Sequence, residues 1–428
     1  MIGGGPAGST AATLLAERGY HVVVLEKEHH PRFHIGESLL PANLPILERL
    51  GVADEVKAIG MQKWGAEFVS PWDGRQQSFE FADGWNKSLP FAYQVRRAEF
   101  DEILFRRAAR AGAQTIEGCR VRDVEFLPDG TGVRVHAALE DGSTDSWQAR
   151  FLVDASGRDT FLGNRLSAKR RNTKHSSAAL YGHFSGAHRY SDKRAGDISI
   201  YWFDHGWFWF IPLADGTTSV GAVVWPYYTK TRTVPVREFF LATIELCAPL
   251  AARLRGAELV ADVTATGNYS YACDRSYGPS YILLGDAYTF IDPMFSSGVM
   301  LAMNSAVSGA DTIDQCLRDP ASASRALQSF ERVMRRGPKA YNWFIYRVTN
   351  PSLRDMFMGP RNLLRMKEAL LSLLAGDIFG KTPIWGSLRA FKFVYYLISL
   401  VNLRRSLTAR RRRTSNIRPV EPERVTAT

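Results

Sequence analysis

The chain has 428 residues, 45% of them hydrophobic and 23% charged, with a formal net charge of +11. This length exceeds one ordinary domain, and the balance excludes a disordered, collagenous or wholly membrane-embedded chain. More than half of the positive excess lies in Arg404–Thr428, where eight arginines face two glutamates, so the charge describes a basic tail and gives no reason to expect a nucleic-acid partner.

The opening IGGGPAGSTAATLLAERGYHVVVLEKE predicts a glycine loop, a helix over 6–18 stopped by Gly19, and a buried strand over 21–25. Only Met1-Ile2 precedes the loop, whereas a central parallel strand has about five residues. The expectation is therefore a native N-terminus further upstream or a weakened first strand. A helix carrying Ile46, Leu47 and Leu50 follows, then an irregular stretch, QKWGAEFVSP, and a helix over 98–111. Residues 114–140 predict a meander of short strands around the PDG and EDG turns, and 149–158 a buried strand running into a glycine turn. Residues 176–266 alternate and are rich in aromatics, as in a mostly antiparallel second domain. A strand at 281–284 and a helix over 299–316 return to the first domain, and helices continue to 403.

The expected architecture is α/β. A Rossmann-like dinucleotide domain (1–165 and 267–323) carries an inserted, mostly antiparallel substrate domain (166–266). A helical C-terminal region (324–403) and a basic tail (404–428) complete it. Cys119, Cys247, Cys273 and Cys316 form no C-x-x-C pair, so neither a zinc site nor a disulfide framework is expected. With no secretory signal before the first motif, these read as reduced thiols in the cytoplasm. FKFVYYLISLVNL (391–403) is apolar but shorter than the roughly 18–20 residues that span a bilayer. Its first reading is a helix docked on the body ahead of a solvated tail. The second is peripheral contact with an anionic membrane surface.

Gly3-x-Gly5-x-x-Gly8, with Pro6 and Ala7 between, permits a tight turn and close approach of a pyrophosphate to a helix N-terminus. Glu26, 18 positions beyond Gly8 and followed by Lys27, stands where an acid accepts hydrogen bonds from an adenosine ribose. The pair points to FAD or NAD. In GWFWFIPL (206–213), alternation puts Trp207 and Trp209 on one face and Phe208 and Phe210 on the other.

The glycine fingerprint, VRRAEFD around Arg97, DASGR around Asp154 and LLGDAYTFIDP around Asp286 resemble the FAD-binding segments of the p-hydroxybenzoate hydroxylase-type flavoproteins. Within that superfamily, PRFHIGESLLP, W-x-W-x-I-P (Trp207, Trp209, Ile211, Pro212), QKWGAEF and DPMFSSGVMLAMNSA resemble the flavin-dependent halogenases over about residues 1–330. The resemblance implies FAD, used as FADH2, with Asp286 at the ribityl chain, Arg97 against the cofactor, and Gly298 and Val299 at the flavin. It implies that reduced flavin and O2 form a hydroperoxide attacked by chloride or bromide, giving hypohalous acid. Backbone N–H groups of Ser297 and Gly298 would cradle the halide, and Lys63 would relay the oxidant. Trp207 and Trp209 would wall the aromatic substrate away from the flavin.

In members acting on free tryptophan a glutamate precedes the Ser-(Ser/Thr)-Gly of this loop; here Phe295 occupies that place. The implied substrate is an electron-rich phenol or pyrrole, free or tethered to an acyl or peptidyl carrier protein. A separate flavin reductase is the implied partner. Competing readings are an FAD-dependent aromatic monooxygenase, a geranylgeranyl reductase-like enzyme, and a flavin-bound scaffold without activity.

Overall fold

The computed structural model describes residues 1–128, 130–267, 270–380 and 382–417. Asp129 of the PDG turn and residues 418–428 of the basic tail lie outside them. The nucleotide-binding sheet is assembled from very short strands. Gln114–Ile116 pairs with Val23–Leu25, and Leu152–Asp154 with Tyr281–Leu283, all parallel. Ile2 joins the two pairs by bridging Leu25 and Asp154. Its amide donates to Val153 O at 2.9 Å and its carbonyl accepts from Ala155 N at 2.9 Å, so this one bridging residue holds the central place between the pairs.

The Pro6–Ala16 helix follows the turn and packs against the Arg97–Arg110 and Gly298–Arg318 helices. That packing is close because Gly8 has no side chain: a Cβ there would lie 2.0 Å from Gly3 O, and Gly3 itself sits at φ +94°. Cys119–Phe126, Val133–Leu139 and Thr144–Ala149 form an antiparallel meander around the PDG and EDG turns, its last strand running beyond the expected 114–140.

The second sheet has eight strands. Ala178–Ser185, Thr218–Val224, Gly206–Pro212 and Ile198–Phe203 are successive antiparallel neighbours. Gly65–Val69 then joins Ile198–Phe203 in parallel, and Gln76–Glu80 extends the edge. Here the structure corrects the irregular stretch expected around QKWGAEFVSP. Met61–Lys63 and Gly65–Val69 are strands; Gly65–Val69 forms a hairpin with Gln76–Glu80, while the partners at residues 92–94 and 198–201 are remote in sequence. These strands come from within residues the sequence boundaries assign to the first domain.

Beyond the Gly298–Arg318 helix, Ala323–Ile345 and three further helices cover one face of the second sheet. Ile384–Val401 docks through Ile384, Leu388, Phe391 and Tyr395, while Phe393, Tyr396, Leu397, Leu400 and Val401 stay exposed on its other face. The tail expected to be solvated is helical as far as residue 417, over Leu403–Ile417, and most of its side chains are exposed. Leu, Ala and Arg favour helix, and the helix is seated by Ser406 Oγ against Ser352 Oγ at 3.3 Å and Arg413 over the Tyr346 ring at 5.4 Å.

Candidate active site

A cleft of about 460 Å³ opens along the C-terminal ends of the nucleotide-binding strands. Gly3, Gly5, Pro6, Ala7, Glu26, Lys27, Arg97, Asp286, Gly298 and Val299 all line it. Gly8 and Ser297 do not; Gly8 acts beneath the turn, as its contact with Gly3 requires. Glu26 is buried, and its two oxygens accept the amides of Gly4 at 2.7 Å and Glu28 at 3.1 Å. Each oxygen keeps a second lone pair for a ribose hydroxyl. Lys27 pairs with Asp159 at 2.6 Å on the cleft rim.

Arg97 opens its helix and is locked by two bonds to Asp101 (2.8 and 3.0 Å) and one to Ile35 O (3.0 Å). Burial would raise the Asp101 carboxyl, but Arg97 and Arg32 hold it below the ordinary range. Burial pushes Asp286 up to about 6 against the pull of Arg158 and Arg97. A carboxyl in that state is suited to hydroxyl partners. A Cβ on Gly298 would meet nothing within 4 Å, so this helix start faces open space in the cleft. Among the described residues no acceptor meets the amides of Ser297, Gly298 or Val299, which leaves a ring of donors at the positive end of a 21-residue helix. Ser296, at φ +53°, turns the chain into it.

The cleft continues into an apolar pocket of about 120 Å³, sharing Arg97, Arg158, Asp286, Gly298 and Val299. Trp207, Trp209, Ile198 and Ile211 form its far wall. The two indoles lie 6.1 Å apart, and Trp209 Nε1 donates to Ser219 Oγ at 3.1 Å. Phe208 and Phe210 point to the other side and pack with Tyr228 and Phe240, as the alternation predicts.

Adjoining the pocket at Ile198 and Ser296 is a chamber of only about 20 Å³, lined by Lys63, Leu40, Phe68, Phe81, Ile200 and Phe295. Room of that size suits about one water-sized guest. Lys63 is 1% exposed. Its Nζ donates to Ser38 Oγ at 2.9 Å and Leu39 O at 3.0 Å, and lies 5.2 Å from the Phe81 ring centre. The geometry follows from strand pairing: Ala92–Gln94 pairs with Met61–Lys63 on one side and with Ser38 on the other. Burial lowers the Lys63 ammonium to about 7, although Asp197 favours the charged form. Asp197 accepts the amides of Trp64 at 2.8 Å and Gly65 at 2.7 Å and so fixes the chain just after Lys63.

Reading motifs misses Ser38, Leu39 and Asp197, although GESLL belongs to a quoted segment. It also misses Glu37, whose buried carboxylate bonds His183 Nε2 at 2.8 Å and leaves Oε2 without a partner beside the apolar pocket. Phe295 lines the chamber and packs on Tyr341, so the loop offers a ring where a carboxylate would reach Lys63. Cys119, Cys247, Cys273 and Cys316 are free and buried.

A glycine-turned cleft, the buried Asp286 carboxyl in its wall and an adjoining apolar pocket fit a dinucleotide cofactor with a substrate beside it. Comparison with known proteins narrows the class. The tryptophan halogenase family profile matches residues 1–87 and 82–352. The 1H-pyrrole-2-carbonyl-[peptidyl-carrier protein] chlorinase of Pseudomonas fluorescens is 32% identical over 404 residues, 89% of each chain. The myxobacterial chondrochloren halogenase CndH superposes with a TM-score of 0.78 at 34% identity, covering 93% of this chain and 95% of that one. A flavoprotein/dehydrogenase from Cytophaga hutchinsonii gives 0.84 at 29% identity, with 94% and 98% covered.

The chain belongs to the flavin-dependent halogenases. It is an oxidoreductase whose cofactor is FAD and whose co-substrate is a halide, which answers the competing enzyme and scaffold readings.

Proposed function

We propose that this halogenase installs chloride or bromide on an electron-rich phenol or pyrrole through hypohalous acid handed to Lys63. The carrying observation is the buried Lys63 in a chamber of about 20 Å³ that adjoins the flavin-side pocket and is faced by Phe295. When bound, reduced FAD supplies, with O2, the oxidising power that converts halide to hypohalous acid. The amides of Ser297 and Gly298 hold the halide at the helix start, where the dipole favours an anion. Trp207 and Trp209 exclude an aromatic ring from the cofactor, and the narrow chamber admits only a small oxidant.

In its neutral form Lys63 has two N–H groups, matched by Ser38 Oγ and Leu39 O, and a lone pair able to take the halogen from hypohalous acid: the N–halogen bond forms as the O–halogen bond breaks, and an N–H proton leaves with the hydroxide as water. In its ammonium form the third N–H can hydrogen-bond the oxidant. A phenol activates itself by losing its own proton, and a pyrrole is electron-rich already, so neither needs a carboxylate at position 295. The Pseudomonas relative's named substrate, a pyrrole on a peptidyl carrier protein, supports a carrier-tethered substrate here. Reduced flavin comes from a separate reductase in the cytoplasm.

The test is incubation of the protein with FAD, a flavin reductase, NADH, O2 and chloride or bromide, offering pyrrole-2-carbonyl carrier protein, a free phenol and free tryptophan. Mass spectrometry should find halogen on the pyrrole or phenol. Preferential halogenation of tryptophan would overturn the substrate reading.

The exposed apolar face of Ile384–Val401 beside the arginines of Leu403–Ile417 supports a further peripheral contact with anionic membranes. Co-sedimentation with phosphatidylserine vesicles tests it, and failure to pellet removes it.

A further inference from the structure

The loop that enters the Gly298–Arg318 helix is a wall shared by three spaces. Met294 and Phe295 line the Lys63 chamber, Ser296 lines both chamber and pocket, and Gly298 and Val299 line both pocket and cleft. Donors aimed at an anion act by being held in place beforehand. Ser296, at φ +53°, lies in the left-handed region, which a residue with a side chain keeps only where its surroundings hold it. A row of side chains leading away to the C-terminal helix supplies that hold.

Asp292 caps the short turn Pro293–Phe295, its Oδ1 accepting the Met294 amide at 3.2 Å. Its Oδ2 accepts from His175 Nε2 at 2.8 Å and from Ser177 Oγ at 3.0 Å. On the far side of the imidazole, Arg413 Nη2 donates to His175 Nδ1 at 3.1 Å and to Lys174 O at 3.2 Å. The rings of Trp225 and Tyr346 flank the imidazole, and Arg413 lies over Tyr346. The His175 and Asp292 side chains are each 1% exposed, so water cannot stand in for a lost partner.

The direction of each bond in this row follows from its first member. A guanidinium has no acceptor, so His175 Nδ1 must accept and carries no proton. The imidazole proton therefore sits on Nε2 and is donated to Asp292. Burial lowers the Arg413 guanidinium to about 10, so it stays charged near neutral pH and places a cation beyond the imidazole for the buried Asp292.

We propose that Arg413, His175 and Asp292 are positioning residues for the halide. The C-terminal helix fixes the imidazole, the imidazole fixes Asp292, and Asp292 fixes the turn that presents the Ser297 and Gly298 amides. This rests on the reading of those amides as the halide cradle. A helix that lines neither cleft, pocket nor chamber thereby belongs to the active structure.

The test turns on donor–acceptor matching in the full-length holoenzyme. Asp292→Asn keeps the volume but replaces one acceptor with an NH2 group, which then opposes the N–H of either Met294 or His175. The KM for bromide should rise about tenfold with kcat within about threefold. Adding Arg413→Met frees the imidazole to move its proton to Nδ1 and accept from the new amide. The double variant should therefore need severalfold less bromide than Asp292→Asn alone, whereas a merely structural pair would give it the greater defect. Turnover is read on whichever of the pyrrole, phenol or tryptophan acceptors is brominated, and folding from circular dichroism. Nitrogen-15 NMR of the histidine-labelled wild type, with His175 assigned through His175→Gln, is a readout without turnover and should show a proton on Nε2 alone. A proton on Nδ1, alone or together with one on Nε2, overturns the proposal. So does a double variant no better than Asp292→Asn, or an Asp292→Asn enzyme with unchanged bromide KM and FAD affinity. If loss and rescue appear in FAD affinity while the bromide KM stays constant, the halide reading fails and the row still positions the loop.

Discussion

The flavin cleft and the Lys63 chamber adjoin each other but are built by opposite means. The cleft is wide, and its recognition parts are short motifs: the glycine turn, the helix start at Gly298 and Val299, and the Glu26 carboxylate held by neighbouring amides. Each motif has its spacing fixed locally by a strand, turn or helix. The chamber is small and made of side chains from separated stretches, Leu40, Lys63, Phe68, Ile198, Phe295 and Leu374. A cofactor common to many enzymes is gripped by transferable local geometry, whereas the selective chemistry depends on which remote side chains the fold brings together.

The largest effect that would sharpen this contrast falls on the chamber. Lys63→Met, which fills the volume without the amine, should lower halogenation by about 10²–10⁴-fold while FAD still binds. Near-normal turnover would remove the relay. The cleft should respond through fold and affinity. Gly8→Ala drives a methyl into Gly3 O and should cost about 1–3 kcal/mol, visible as a fall in Tm. Gly298→Ala, with open space around it, should leave the apoprotein's Tm nearly unchanged and weaken FAD about tenfold.

A pH series separates the two forms of Lys63. With its ammonium lowered to about 7 by burial, the rate of halogen transfer should inflect near pH 7, and Lys63→Arg should lack that inflection. A rate rising with pH identifies the amine as the acting form, and a falling one the ammonium. Stability should follow the same titration. The folded protein releases this proton near pH 7 and the unfolded chain only near 10.5, so the cost of burying the charge is full below pH 7 and shrinks as pH rises. Lys63→Met should therefore raise Tm more at pH 6 than at pH 9.

The smallest expected change is in product distribution. Trp207→Ala enlarges the flavin-side pocket that Trp207 lines, giving a ring room beside the cofactor, and some hydroxylated product should appear beside the halogenated one. A folded variant giving halogenated product alone would return that indole to ordinary core packing.

Gly3, Gly5, Gly8, Glu26, Arg97 and Asp286 were legible because each belongs to a short segment whose physical job is local, and the alternation of Trp207 with Phe208 was legible because a strand has period two. Ser38 and Asp197 were not. They reach the neighbourhood of Lys63 only through pairing with residues 92–94 and through the close of a loop more than a hundred residues later. The arginines of 404–417 look in sequence like a solvated run; the partners of Arg413, Tyr346 and His175, are set by helix packing, which no local pattern encodes.

The sequence by itself therefore determined the dinucleotide turn, the class of cofactor and the two faces of the tryptophan strand, because backbone geometry and side-chain period are properties of neighbouring residues. Only the tertiary structure decided that Lys63 is buried with a weakened hold on its proton, that its chamber holds one small guest, and that Arg413 is linked through His175 to the flavin-side loop. Desolvation and shape are set by atoms that meet across the fold.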